Sequence, residues 1–277
     1  MIDLERLYAP RWAGGWAVSR VLFGLATILA QLERIPEVRD ALASPSLVLS
    51  SGPTRVSDHV LLGGPAAWTV WAGGLLGSLG ILAGGRLAKP GVLGWFASHA
   101  VLLVALGLNV RAPERVIVFC SVAMLLAPIG ERALWTKARS PAPRWFTMVF
   151  FAALYGSTGF MKALEEPAWW TGDALPLDLV DRHHAGGVIA AWISGQHWLC
   201  FGLGWGTIAF EASFPFLIGF AELTPWVLLA GIGMHGTIEA LMDVGPLGYM
   251  AVSMYPALLD PDVARRLWDK AARRLGR

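Results

Sequence analysis

Residues 154–175 read LYGSTGFMKALEEPAWWTGDAL. An apolar run closes on one cation, Lys162, and two acids, a tryptophan pair and a glycine follow at once. The fold turns on which solvent that run meets, and the rest of the chain answers lipid. Of 277 residues, 55% are hydrophobic and 15% charged, whereas a soluble domain carries about 25% charged residues. Fourteen tryptophans agree, because indole rings collect where hydrocarbon meets headgroups. The sequence therefore predicts an all-α protein, a polytopic integral membrane helical bundle.

A bilayer core takes about 20 helical residues. Apolar segments near 13–31, 65–84, 91–109, 114–130, 145–162, 204–221, 225–241 and 244–259 give about eight spans on that measure. The first resembles a signal peptide, but Arg20 interrupts its apolar core and no small-x-small cleavage site closes it, so it is expected to be retained. The run 186–200, GGVIAAWISGQHWLC, is short and glycine-broken, and is expected to be interfacial or re-entrant. With the first span starting inside, Arg86, Lys89, Arg132, Lys137, Arg139, Arg144 and the tail Arg265–Arg277 fall on the cytoplasmic side. Arg34, Arg39, Arg55, Arg111, Arg115 and Arg182 fall outside. That bias places both termini in the cytoplasm of a multi-pass cell-membrane protein, with the 163–185 segment outside. The expected organisation is one transmembrane domain, 1–260, and a basic cytoplasmic tail, 261–277, lying on anionic lipid.

A net charge of +2, with its basic residues scattered, excludes nucleic acid as a partner. Cys120 and Cys200 sit in apolar surroundings without zinc spacing, so neither a disulfide framework nor a metal site is expected.

Ionisable groups in or beside spans are costly and point to sites. Arg20 and Glu211 each need a partner, and Arg20 or His235 would suit Glu211. His99 is mid-span, as a hydrogen-bonded core histidine or a catalytic one. His235, Glu239 and Asp243 are spaced four apart, which places them on one helical face. Lys162 has two readings. It snorkels to the outer headgroups, or it serves as a base, since apolar surroundings disfavour an ammonium. The economical arrangement brings Lys162, Glu211, His235 and Glu239 to one pocket open to the outer leaflet, with Trp169, Trp170 and Trp205 as apolar walls and Tyr155 nearby.

The tract YGSTGFMKALEEPAWWTGDAL resembles the HTTM (horizontally transferred transmembrane) domain, the membrane domain of vitamin K-dependent gamma-glutamyl carboxylases. Its small-residue turn, lysine, tryptophan and W-x-x-G step match Gly159, Lys162, Trp169 and Gly172. WGTIAFEASFPFLIG and GMHGTIEALMDVGPLGYMAVSMYPALL agree in order along the chain. The resemblance implies that Lys162 is the base for a quinol, vitamin K hydroquinone or menaquinol, and that His99 matches an assisting histidine. Taken together with that shared pocket, the expected catalytic residues are Lys162, His235, Glu211 and His99, and the expected cofactor-binding residues are Trp169, Trp170, Trp205, Tyr155 and Glu239. The carboxylases continue into a large lumenal region that holds their protein substrate, whereas this sequence ends soon after its last expected span. The expected function is thus quinol-dependent proton abstraction or carboxylation at the outer membrane face, on a small molecule or a peptide brought by a partner protein. The alternatives are a maturation or export factor for a secreted peptide of the sporulation-delaying type, or a non-catalytic, lipid-binding membrane scaffold.

Overall fold

The computed structural model describes residues 9–36, 38–39, 64–105, 112–131, 138–181 and 187–274. Its helices are α1 Gly14–Glu33, α2 Gly64–Ala83, α3 Ala88–Ala105, α4 Ala112–Leu126, α5 Ala142–Leu164, α6 Pro167–Thr171, α7 Ala174–Val180, α8 Val188–Ser194, α9 His197–Leu217, α10 Thr224–Leu241, α11 Leu247–Ser253, α12 Tyr255–Leu258 and α13 Pro261–Arg274. Among the described residues the strands are two dipeptides, Arg11–Trp12 and Ala138–Arg139. The fold class is all-α. Most of the 32–64 loop lies outside the described residues, as do Arg55, Arg111, Arg132, Lys137, Arg182 and Arg277, on which the expected orientation partly rests.

Among the described residues two helices, α1 and the 65–83 part of α2, are long and apolar enough to cross a membrane. The expected span at 244–259 is corrected. It is two short helices, α11 and α12, broken at Met254. Proline explains the break: Pro256 has no N–H to give to the preceding turn, and Pro246 follows Gly245 at φ 64° where α11 begins. The span expected at 114–130 ends at Leu126, because Pro128 biases Ala127 out of the helical region. The 186–200 run is short helix α8, a turn at Gly195–Gln196, and the first residues of α9, which therefore starts seven residues before the expected 204.

The chain forms two compact units. The N-terminal unit comprises Trp12–Arg139 and Gly245–Met254. In it α2 and α3 meet backbone to backbone: a Cβ on Gly77 would stand 2.7 Å from the Gly91 oxygen, and one on Gly91 would stand 2.5 Å from the Gly77 oxygen. Close approach through small residues is how helices pack where lipid removes the hydrophobic drive. Arg20 donates to the carbonyls of Ile81 and Leu82, 2.6 Å each, so it caps the C-terminal end of α2, where a cation is favoured. Gly84, at φ 72°, leaves the space that its guanidinium fills. Around Trp95, Ile81, Ile117, Met124 and Met250 the interior is fully buried.

The C-terminal unit comprises Met1–Arg11, Ser140–Val244 and Tyr255–Arg277. Here α5 and α9 meet through Gly156, against the Pro215 ring, and Gly159, against the backbone of Glu211–Ala212. Around that seam Phe151 stacks on Tyr155, and Tyr155, Phe210 and Phe214 pack edge to face. Arg144 donates to the Leu258 and Leu259 carbonyls at the C-terminal end of α12.

Large apolar side chains also point outward in register. Leu25, Leu29 and Leu32 on α1, Val118, Val122 and Leu126 on α4, and Trp226, Leu229 and Ile232 on α10 are all exposed. Repeats at helical spacing make these continuous apolar faces rather than scattered residues.

Candidate functional site

The site begins with Gly159. A Cβ there would sit 2.4 Å from the Ala212 nitrogen and 2.8 Å from the Glu211 Cβ, so only glycine lets α9 close on α5 at this level. One turn further along α5, Lys162 Nζ reaches both Glu211 oxygens at 2.8 Å. The side chains are largely buried, at 17% and 9% exposure. The lone cation is therefore neutralised by an acid 49 residues away in sequence. Of the acids that follow it, Glu166 accepts instead from Trp169 Nε1 at 2.7 Å.

The tryptophan pair forms the roof. Lys162 Nζ lies 4.7 Å from the Trp169 ring centroid, within cation–π range. Trp169 is held over it by the α6 turn, which ends on Gly172 in the left-handed conformation at φ 80°, its Cα facing the Phe201 backbone. Trp170 Nε1 donates to the Ala163 carbonyl at 2.5 Å, and Trp205 Nε1 donates to the Trp170 carbonyl at 3.3 Å. The Trp170 and Trp205 rings meet edge to face at 4.3 Å, and both are partly open to the surface.

His235 belongs to a second cluster. Tyr155 Oη lies 2.6 Å from His235 Nε2 and 2.9 Å from Tyr255 Oη, so one buried phenol joins a histidine and a second phenol. Gly231 makes room for the Tyr255 hydroxyl, 2.5 Å from where its Cβ would stand. Among the described residues His235 Nδ1 is buried without a hydrogen-bond partner. Sequence reasoning missed Tyr255 and the spacing role of Gly231. The signal was available, since a buried tyrosine hydroxyl normally finds a partner.

Several expectations are corrected by this geometry. Glu211 pairs with Lys162, not with Arg20 or His235, because the Gly159 contact sets it one turn from the lysine. Asp243 lies off the His235 face, because α10 ends at Leu241 and Met242 is extended. Glu239 is exposed on α10 while His235 is buried. His99 is in the N-terminal unit, 4% exposed and stacked on Trp95. A cavity of about 300 Å³ opens on α9 and α10, and Lys162, Glu211, His235 and Glu239 are not among the residues lining it.

Chemically, the Lys162–Glu211 pair is a proton donor and acceptor in contact, at the end of an apolar helix and under aromatic rings. The Tyr255–Tyr155–His235 chain is a hydrogen-bonded series of groups that each exchange a proton. Among the described residues no group of three or more His, Cys, Asp or Glu is placed to hold a metal ion. Compared with models of known protein families, with curated proteins and with solved structures, the chain matches none of them.

Proposed function

We propose that the protein is a multi-pass membrane protein that uses the Lys162–Glu211 pair to take a proton from a quinol-type ligand at the outer membrane face. The membrane placement rests on the outward apolar faces of α1, α4 and α10, which water would not tolerate over such an area. The chemistry rests on one observation: Lys162 Nζ bound by both Glu211 oxygens beneath the Trp169 ring.

The residues present suit a phenolic ligand. Lys162 keeps part of its side chain open, and the partly exposed rings of Trp170 and Trp205 offer flat apolar contact beside it. A bound quinol would supply an acidic hydroxyl and reducing electrons. Glu211 holds the lysine in place. Because the ammonium it binds already carries its proton, the carboxylate is the member of the pair that takes up the proton of the quinol hydroxyl, with the ammonium left to stabilise the anion formed. A ligand ring laid against Trp170 and Trp205 would cover the open side of the pair, which strengthens each polar interaction beneath it.

The test is turnover and binding measured separately in vesicles. Ring contact should quench tryptophan fluorescence when menaquinol analogues bind, and product analysis should show the analogue consumed in air with bicarbonate. Lys162→Met is expected to keep most of the quenching and lose turnover, because methionine retains the apolar stem and removes the amine. Wild-type protein that neither binds nor consumes the quinol would leave the pair as a link between α5 and α9 and overturn the proposal.

A further inference from the structure

The 300 Å³ cavity of the C-terminal unit is separate from the Lys162 site and has its own construction. On α9 the residues facing α5 and α6 are Gly204, Ile208 and Glu211, all buried. The cavity takes the adjoining face, from Gly202 through Gly206 to Phe210, and is closed by α10 at Met234 and Ile238 and by α7 at Leu179. Gly202 and Gly206 are four apart, hence on one face, and both are exposed. A Cβ at either would meet nothing within 4 Å. These two glycines are not required by packing, unlike Gly159; what their missing side chains provide is space.

The lining decides what that space accepts. Its two hydroxyls are already used within their own helices, Thr207 donating to the Leu203 carbonyl at 2.9 Å and Thr237 to the Gly233 carbonyl at 2.9 Å. A polar occupant would find few partners and lose its hydration. Apolar cavities of about 150 Å³ hold a benzene-sized guest, so this one has room for a longer chain. It is too small for a helix, whose diameter with side chains is about 10–12 Å, which sets aside the helix-docking use of glycines spaced in this way.

We infer that the groove floored by Gly202 and Gly206 binds one hydrocarbon chain, the acyl chain of a membrane lipid. The inference rests on the membrane placement proposed above, not on the quinol chemistry. α10, which lines the groove from Ala230 to Leu241, carries an exposed apolar face at Trp226 and Leu229 just before it, which makes lipid the solvent from which the chain enters.

A phospholipid carrying a photoreactive diazirine on its acyl chain, incorporated in vesicles with the full-length protein, tests this directly. Cross-linked peptides identified by mass spectrometry should concentrate on 202–210 and 234–242. Gly206→Leu, whose Cβ has open space around it, puts a side chain into the groove and should abolish that labelling, while bulk-lipid labelling of the Trp226–Leu229 face persists. Gly202→Leu is a second variant for the same loss, and thermal unfolding reports whether each folds. Protein that alkaline carbonate strips from the vesicles would overturn the membrane placement itself. Protein that stays inserted with labelling of the groove no stronger than that of the outer face, or undiminished by both substitutions, would overturn the lipid site alone. A diazirine isoprenoid alcohol that labels the groove where the phospholipid does not would also overturn it.

Discussion

His99 and His235 invite comparison, because each stands in a helix of its own unit at 4% exposure. His235 shares a 2.6 Å hydrogen bond with Tyr155. His99 stacks on Trp95, and its Nε2 is buried without a hydrogen-bond partner. Equal burial therefore leaves the two histidines in different settings, one bonded to a side chain and one stacked on a ring. The contrast extends to the charged residues, for Arg20 in the N-terminal unit spends its hydrogen bonds on the carbonyls ending α2. In the C-terminal unit Lys162 meets a side chain, Glu211, that carries the opposite charge and accepts its hydrogen bonds. The first arrangement fastens backbone, and the second places exchangeable protons in contact.

The largest effect should come from breaking that side-chain pair. Glu211→Met alone should lower the stability of the C-terminal unit by about 3 kcal/mol, since it leaves a largely buried ammonium uncompensated. The double change Lys162→Met with Glu211→Met should recover most of the loss. Thermal unfolding of the single and double variants checks it, and a double variant no more stable than the single one would put both residues outside a common pair.

Next come the glycine contacts, which the two units share. Gly159→Val and Gly91→Val should each cost about 1–3 kcal/mol through overpacking against backbone, with unfolding temperature as the measurement. If only Gly159→Val were costly, close helix contact would be a feature of one unit and not of the chain.

Smaller still is the direct test of the histidines. His235→Phe should cost about 1 kcal/mol, because Tyr155 loses a hydrogen-bond partner in a buried setting. His99→Phe keeps the stack on Trp95 and removes a polar atom with no partner, so its stability should match or exceed the wild type. Equal losses from both would erase the distinction drawn between them.

At the bottom of the scale is Arg139, which forms a fork with Glu131 on the surface. Its hydrogen bond to Glu131 pushes the guanidinium further up. A raised value means the contribution is present at neutral pH and lost only as pH rises past the folded-state value, beyond the alkaline working range. Arg139→Gln should leave unfolding unchanged in high salt, as exposed pairs do; a clear loss there would show that a surface pair carries more than the buried contrast allows.

Helix content was legible wherever apolar runs were long. Segments 13–31, 65–84, 145–162 and 225–241 correspond closely to α1, α2, α5 and α10. The 244–259 run was misread because hydropathy outweighed Pro246 and Pro256, whose backbone effect was printed in the sequence. Lys162 and Glu211 were expected in one pocket and do meet, but their direct pairing, apart from His235, was not readable. It depends on Gly159 bringing α9 against α5, and sequence shows a glycine without showing what approaches it. The glycines Gly202 and Gly206 looked like those of any apolar helix, although one face of α9 uses Gly204 for contact and the next leaves a void.

Exchanging the pair, Lys162→Glu with Glu211→Lys, tests the central claim most directly, because an ion pair is symmetric in its charges and a base is not symmetric in its place. Unfolding temperature and quinol turnover should be measured on the same preparation. The account predicts stability close to the wild type and turnover lost, since the amine then projects from α9 and no longer from beneath Trp169. Wild-type turnover in the exchanged protein, or stability and turnover lost together with no recovery over the single variants, would contradict it.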